Sequence, residues 1–326
     1  MAERTVRAAR LVAHGAPLRV DEIELAPSGD GQGARQQIDE VVVEMALAGV
    51  NPVDRYICLG RVAPDARLPR TVGVEGVGTL EGKIVAVHGT GLATLRDGVW
   101  SSAALLPRGA TVPVPDGVDL RSAASIGVAG ATAWKTVHEL AEVQADDRVL
   151  VLGASGGVGH MIVSLARSNG AVVWGQTGNV KKAAAIEAGG AARAVVVDDP
   201  GALCAALREL RPTVVFDPLG GGYTGAAVDA LELRGRLVLF GTSAHTHGTV
   251  PLQALYRKGI AVLGYSGLAE SPESVHEGMR RALDAVRDGR LEVAVDEVMA
   301  LEEVNDALAR LERREVEGKI LLSLAD

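Results

Sequence analysis

The hydrophobic pattern changes period along this chain, most sharply between Arg148 and Thr177. Arg148-Val149-Leu150-Val151-Leu152 is a short, almost unbroken apolar run, the pattern of a strand buried on both faces. Gly153-Ala154-Ser155-Gly156-Gly157-Val158-Gly159 follows at once. From His160 to Asn169 the apolar positions Ile162, Val163, Leu165 and Ala166 form a helical stripe, and Gly170 stands where a helix C-terminal glycine belongs. Ala171-Val172-Val173-Trp174 is a second strand. After it, strands are predicted at Ala194–Val197, Thr213–Phe216, Arg236–Phe240 and Ile260–Gly264, with helical segments between them. Strand and helix alternating in this way predict a doubly wound parallel sheet of six strands.

Before this unit the pattern is that of strands. Thr5 to Leu25 holds short strand-like runs broken at Gly15-Ala16-Pro17, and Ser28 to Arg35 reads as a turn or loop. Glu40 to Leu47 alternates with period two. Gly49-Val50-Asn51-Pro52 then turns into a short helix that Asn51 is placed to cap. Val72–Leu80 and Lys83–His88 read as strands. Val112-Pro113-Val114-Pro115 lacks the N–H groups of a central strand and reads as an extended connector between domains. Ser122 to Glu142 carries long helical patterning. Beyond Ser266, helices are expected at Pro272–Asp288 and Leu301–Glu312, with a closing strand at Lys319–Leu324.

The glycine turn carries the candidate chemistry. Ala154, Gly156 and Gly159 stand at GxGxxG spacing, with alanine in the first place. Between a buried strand and an amphipathic helix, that spacing marks a dinucleotide site. Gly156 lets a pyrophosphate approach the backbone, Gly159 lets helix and strand pack, and Ser155, Gly157 and Val158 complete the turn. An NAD site usually places an acid at the end of the second strand. Here that place reads Gly175-Gln176-Thr177-Gly178-Asn179, followed by Lys181 and Lys182. The absent acid, the neutral Thr177 and Asn179 and the two lysines predict NADPH. Gly241-Thr242-Ser243 ends a strand, at the edge where such sheets bind ligands.

Composition narrows the picture. A chain of 326 residues suggests about two domains. Net charge is −8 with both signs scattered, which argues against a nucleic-acid footprint. No apolar run reaches the about 18 residues of a membrane span, and Met1-Ala2-Glu3-Arg4 leads into no apolar signal segment. Cys58 and Cys204 build neither a disulfide framework nor a cysteine zinc knuckle, which fits a cytoplasmic setting.

The order of motifs resembles the zinc-free branch of the medium-chain dehydrogenase/reductase superfamily, the NADPH:quinone oxidoreductases and zeta-crystallin-like reductases. The likeness rests on Gly49–Ile57, Val72–Gly78, Ala129–Trp134, Gly153–Gly159 and Glu317–Leu321, and it spans almost the whole chain. It implies a mostly β GroES-like catalytic domain over 1–120, a Rossmann NADPH-binding domain over 121–265, and a return to the catalytic domain over 266–326. Where the zinc alcohol dehydrogenases carry a cysteine and a histidine, this chain has Asn51 and Val74, and no four-cysteine lobe lies between Leu80 and Trp100. No metal is therefore expected. Related enoyl-thioester reductases often carry a tyrosine near Val62.

The resemblance implies hydride transfer from NADPH to a small electrophilic acceptor, a quinone or an α,β-unsaturated carbonyl. An enoyl-thioester reductase and a non-catalytic NADPH-binding protein are the alternatives. Two roles stay open for each side-chain candidate. Tyr56 either donates to the acceptor carbonyl or has a structural partner. Asn51 either orients the substrate or caps its helix, and Trp100 either walls the pocket or belongs to the core. Thr132 either faces the nicotinamide or packs its helix, and Tyr265 lies near the nicotinamide by family analogy. Glu75 is expected to stabilise its turn, Cys58 to be a buried small hydrophobe, and His245 and His247 to lie on a polar loop. A homodimer is expected through Ile260–Gly264, the last and fully apolar strand of the sheet.

Overall fold

The computed structural model describes residues 4–25 and 39–325, and the turn expected at Ser28–Arg35 lies outside them. The chain divides into two compact units. One comprises Met1–Ala131, Ser271–Arg287 and Val295–Asp326; the other comprises Thr132–Glu270 and Asp288–Ala294.

The second unit holds the parallel sheet. Its six strands are Arg148–Val151, Val172–Thr177, Arg193–Val196, Val214–Asp217, Arg236–Leu239 and Ala261–Gly264. Numbered in chain order they lie 3-2-1-4-5-6, all parallel. This is the Rossmann order, whose switch point lies between the first strand and the fourth. The central strands are apolar because helices cover both faces: Val149, Leu150, Val151, Val214, Val215 and Phe216 are wholly buried. Ala261–Gly264 is an edge strand, and its four residues are exposed or half-buried.

The first unit is mostly β. Its larger sheet runs, from one edge to the other, through Val295–Ala300, Lys319–Ser323, Glu40–Val50, Glu75–Leu80, Lys83–His88 and Thr111–Pro113, with Ala103–Pro107 also paired to Glu40–Val50. A smaller sheet joins Arg19–Glu24, Thr5–Leu11 and Arg70–Thr71. One apolar cluster, from Ala9 to Leu324, fills the unit. This is the GroES-like half of the architecture.

Several elements differ from the sequence reading. The strand expected from Val72 begins at Glu75, because Gly73 takes a left-handed φ of 96° over Trp100. Pro113 sits on an edge strand of the first unit, not on an interdomain connector; an edge tolerates its missing N–H. The long helix expected over Ser122–Glu142 is four pieces. Leu120–Ala124 and Ala131–Trp134 are α-helical, while Ile126–Gly130 and Lys135–Leu140 are π-helical. A short apolar stripe does not separate a period of 3.6 from the wider π turn.

The chain enters the second unit at Thr132 rather than at 121, because Leu120–Ala124 packs on the Glu40–Val50 and Glu75–Leu80 strands of the first. The final segment does not return as one block, since Asp288–Ala294 belongs to the second unit. Ser164 Oγ anchors it there by accepting from the Glu292 N–H at 2.9 Å. Strands Ala103–Pro107 and Val295–Ala300 carry no clear alternation and were not legible. Among the described residues no helix is long and apolar enough to cross a membrane.

Candidate cofactor site and active-site residues

Each glycine of the turn has its own reason. Gly153 takes the left-handed turn, with φ of 61°, and leaves Ala154 to occupy the first motif position without strain. Gly159 is fixed by packing: a Cβ there would lie 2.4 Å from the Gly153 carbonyl oxygen and 2.9 Å from Ala154 Cα. Gly156 is different. Its φ of −82° suits any residue, and a Cβ would meet only the Gly153 oxygen, at 3.5 Å. Among the described residues nothing requires a glycine there, so the requirement points outward.

Gly156 caps the Gly157–Ser168 helix, and no side chain caps it. The N–H groups of Gly157, Val158 and Gly159 belong to the first turn and have no intrahelical acceptor. With the positive end of the helix they form a site for an anion. Ser155 is half-buried beside them. An uncovered backbone at a helix start, at the C-terminal edge of the switch-point strand, fits the diphosphate of a dinucleotide.

The end of the second strand is occupied by Gln176, which is buried. Its Oε1 accepts from the Gly153 N–H at 3.0 Å and its Nε2 donates to the Val197 carbonyl. It therefore clips the glycine turn to the neighbouring strand end. Thr177 Oγ1 accepts from the Asn179 N–H at 3.2 Å, and Asn179 Oδ1 from the Lys181 N–H at 3.0 Å. The two lysines separate: Lys181 is exposed, whereas Lys182 is buried. Gly241 and Thr242 follow the Arg236–Leu239 strand; a Cβ at Gly241 would lie 2.9 Å from the Pro218 carbonyl oxygen, and Thr242 is exposed. Thr132 and Tyr265 come together, close enough for the Thr132 side chain to act on the phenol. Burial pushes this phenol above its ordinary range, and Glu270 adds to the effect.

In the first unit the candidates meet a buried polar network. Asn51 is the N-cap residue of the Pro52–Cys58 helix, but the cap bond comes from the other partner: its own N–H donates to Asp54 Oδ2 at 2.8 Å. The Asn51 side chain is used elsewhere. Nδ2 donates to Glu75 Oε1 at 2.8 Å and lies 3.4 Å from Asp54 Oδ2, while Oδ1 accepts from Lys319 Nζ at 2.6 Å. The Lys319 ammonium also reaches Glu75 Oε1 at 2.6 Å. Glu75 is wholly buried; burial alone would raise its carboxyl, but Lys319 and the bonds from Lys319, Val128 and Asn51 bring it below its ordinary value. Asp54 accepts the N–H of Val74 at 3.1 Å, and burial pushes its carboxyl up to about 7.

Both amide hydrogens of Asn51 thus face carboxylates, which removes it as a free donor to substrate and makes it part of the scaffold. Tyr56, half-buried on the same helix, stands outside this network. Trp100 resolves to the core: it is wholly buried and its Nε1 donates to the Gly49 carbonyl at 3.2 Å. Cys58 is buried, and burial pushes its thiol up to about 12. His245 and His247 are exposed, and among the described residues no group of three or more His, Cys, Asp or Glu side chains is placed to hold a metal. The residues at a zinc alcohol dehydrogenase centre do not fit here: Val74 offers no donor and the Asn51 oxygen already faces an ammonium.

Sequence reasoning missed three contributors. Gly153 adjoins the motif and was passed over for Ala154. Gln176 was read only as an absent acid. Lys319 was noticed in a closing motif, but a lone lysine among apolar strand residues is its only sequence signal.

Comparison with known proteins agrees with this architecture. The zinc-binding dehydrogenase family model matches residues 157–285. Quinone oxidoreductase-like protein 2 of Bos taurus is 28% identical over 340 residues, covering 98% of this chain and 93% of its own length. A solved NAD-dependent alcohol dehydrogenase superposes with a TM-score of 0.86 at 24% identity, covering 98% of this chain and 100% of that one. A mycobacterial protein complexed with NADPH superposes with a TM-score of 0.82 at 24% identity, covering 98% and 99%. These solved structures share the fold of a Rossmann unit with a GroES-like unit, and over nearly its whole length the chain is similar to proteins named quinone oxidoreductase.

Proposed function

We infer that the protein is an NADPH-dependent reductase that works without a metal and passes a hydride to a quinone or an α,β-unsaturated carbonyl. The observation that carries this reading is the state of the two positions where zinc dehydrogenases bind their metal. One is the apolar Val74, and the other is Asn51, locked between Glu75 and Lys319. With no Lewis acid to polarise a simple carbonyl, the acceptor must itself be electron-poor. The relative named quinone oxidoreductase-like protein 2 supports that class.

The dinucleotide, when bound, supplies the hydride. The chain holds its diphosphate on the N–H groups at Gly156–Gly159 and its nicotinamide end with Thr132, Gly241, Thr242 and Tyr265. Ser155 and Ala154 shape the turn, and Thr177 and Asn179 the ribose side. Lys181, exposed beyond the second strand, meets the 2′-phosphate, whereas the buried Lys182 supports the fold. Tyr56 presents its phenol to the acceptor oxygen, where hydride addition develops negative charge. The final proton comes from solvent.

The assembly is proposed to be a homodimer in the cytoplasm. Among the described residues the edge strand Ala261–Gly264 has a neighbouring strand on one side only, and Val262 on it is 46% exposed. A two-fold axis lets this strand pair with its own copy. Light scattering at micromolar concentration is expected to give the mass of two chains; the mass of one chain refutes the dimer.

NADPH oxidation against quinones, enones and a crotonyl thioester tests the function. Turnover of the first two classes is expected, in a preparation free of stoichiometric zinc by elemental analysis and active in chelator. Turnover of the thioester alone gives the enoyl-thioester alternative. No turnover of any acceptor, with NADPH bound, overturns the enzyme reading.

A further inference from the structure

The carboxylate of Glu75 joins four stretches that lie far apart in the chain. Its Oε1 accepts from Lys319 Nζ at 2.6 Å and from Asn51 Nδ2 at 2.8 Å, and its Oε2 accepts from the Val128 N–H at 2.7 Å. The Lys319-to-Asn51 bond, at 2.6 Å, closes a triangle of three side chains. Backbone makes room for it. A Cβ at Gly49 would lie 2.2 Å from Glu75 Oε1, and one at Gly127 would lie 2.9 Å from Glu75 Cβ and 2.6 Å from His88 Cβ. Two positions are thus without side chains beside a group that is itself wholly buried.

Such a group needs an explanation other than stability. A buried ion pair often holds a fold no better than apolar residues of the same volume. What it does supply is direction, because each bond fixes the place of its partner. The partners here are informative. Asn51 starts the helix that carries Tyr56, and Val128 lies in the π-helical turn Ile126–Gly130. That turn is irregular, and its Val128 N–H is held by Glu75.

We propose that Lys319 is a positioning residue, acting through Glu75 to set the start of the Tyr56 helix and the backbone of the Ile126–Gly130 turn. The proposal rests on the reductase reading only for its kinetic consequence. The ammonium neutralises Glu75, so that the carboxylate can stay buried with both oxygens engaged, one toward each segment. Without the pair, a neutral carboxamide has one oxygen for two donors, and one of the two segments is released.

The full-length variant Glu75→Gln/Lys319→Met removes both charges while nearly conserving volume. Backbone hydrogen exchange is expected to quicken by about tenfold or more at 51–58 or at 126–131, with the Lys83–His88 strand unchanged. The kcat for the acceptor reduced by the unaltered protein is expected to fall about tenfold, with KM and the NADPH Kd held within about twofold. Unchanged exchange at both segments overturns the proposal, as does quickened exchange with kcat within about twofold of the unaltered protein. If the unaltered protein reduces no acceptor, the reductase reading fails and the exchange result alone decides the positioning role. Should the double variant not fold, Lys319→Arg keeps the charge and moves the donor. It is expected to lose about threefold or more in kcat at constant KM, or to quicken exchange at the same segments if there is no turnover; neither change overturns the proposal.

Discussion

The glycine turn at Gly153–Gly159 and the network around Glu75 handle polarity in opposite ways. At the turn the protein withholds side chains. Its donors are backbone N–H groups at a helix start, with no side-chain cap and only the Gly153 oxygen near Gly156. In the network, Asn51, Asp54, Glu75 and Lys319 are all buried and satisfy one another. A binding site for a charged ligand has to keep its partners unsatisfied until the ligand arrives. A scaffold has to finish its bonds at folding, because an orphaned charge in the interior is costly. The contrast separates a turn left open to a ligand from a scaffold complete in itself.

The largest effect should come from breaking the finished network unevenly. Lys319→Met leaves the Glu75 carboxylate buried without its cation, and urea unfolding should show a loss of about 3–5 kcal/mol. The double variant with Glu75→Gln should recover most of it. Equal loss in both variants would mean that packing around Lys319, rather than charge, is what matters.

The turn should break in two distinguishable ways. Gly156→Val points a side chain into the open face, so NADPH affinity should fall about a hundredfold, or about 2.7 kcal/mol, with the melting temperature nearly unchanged. Gly159→Val drives a side chain into the Gly153 carbonyl and should cost about 1–3 kcal/mol of stability as well as binding. Calorimetric titration beside thermal melts measures both.

Protonation sharpens the comparison, because only the network contains a carboxyl displaced upward. Burial pushes Asp54 from 3.8 up to about 7, so between those values the folded chain binds a proton that the unfolded chain has lost. Its contribution to stability is therefore fully present below the unfolded value and is lost as pH rises through about 7, at up to about 1.4 kcal/mol per pH unit. The free energy of unfolding should fall more steeply between about pH 5 and about 8 for the unaltered protein than for Asp54→Asn. Parallel curves would remove Asp54 as the source.

The smallest effect is on cofactor choice. Lys181→Ala should reduce the NADPH-over-NADH preference about tenfold, close to 1.4 kcal/mol. Lys182→Ala should chiefly lower stability. Titration of each variant with both cofactors checks the division, and a preference lost only with Lys182 reverses it.

The sequence by itself determined the Rossmann half, a strand beginning at Glu40 with the helix that follows it, and the place of the glycine turn between strand and helix. Those features are local. Period-two and helical stripes, a Pro at a first helical turn and glycines at fixed spacing act over a few residues, so their physics is visible within one window. Tertiary structure alone decided which glycine faces outward, because Gly156 and Gly159 differ only in what surrounds a missing Cβ. It also decided that Asn51 is a scaffold residue rather than a free donor. Its partners, Glu75 and Lys319, approach it only when antiparallel pairing brings Glu40–Val50 between the Glu75–Leu80 and Lys319–Ser323 strands. Register across a sheet joins residues hundreds of positions apart, and a buried charge chooses its partner from those the register delivers.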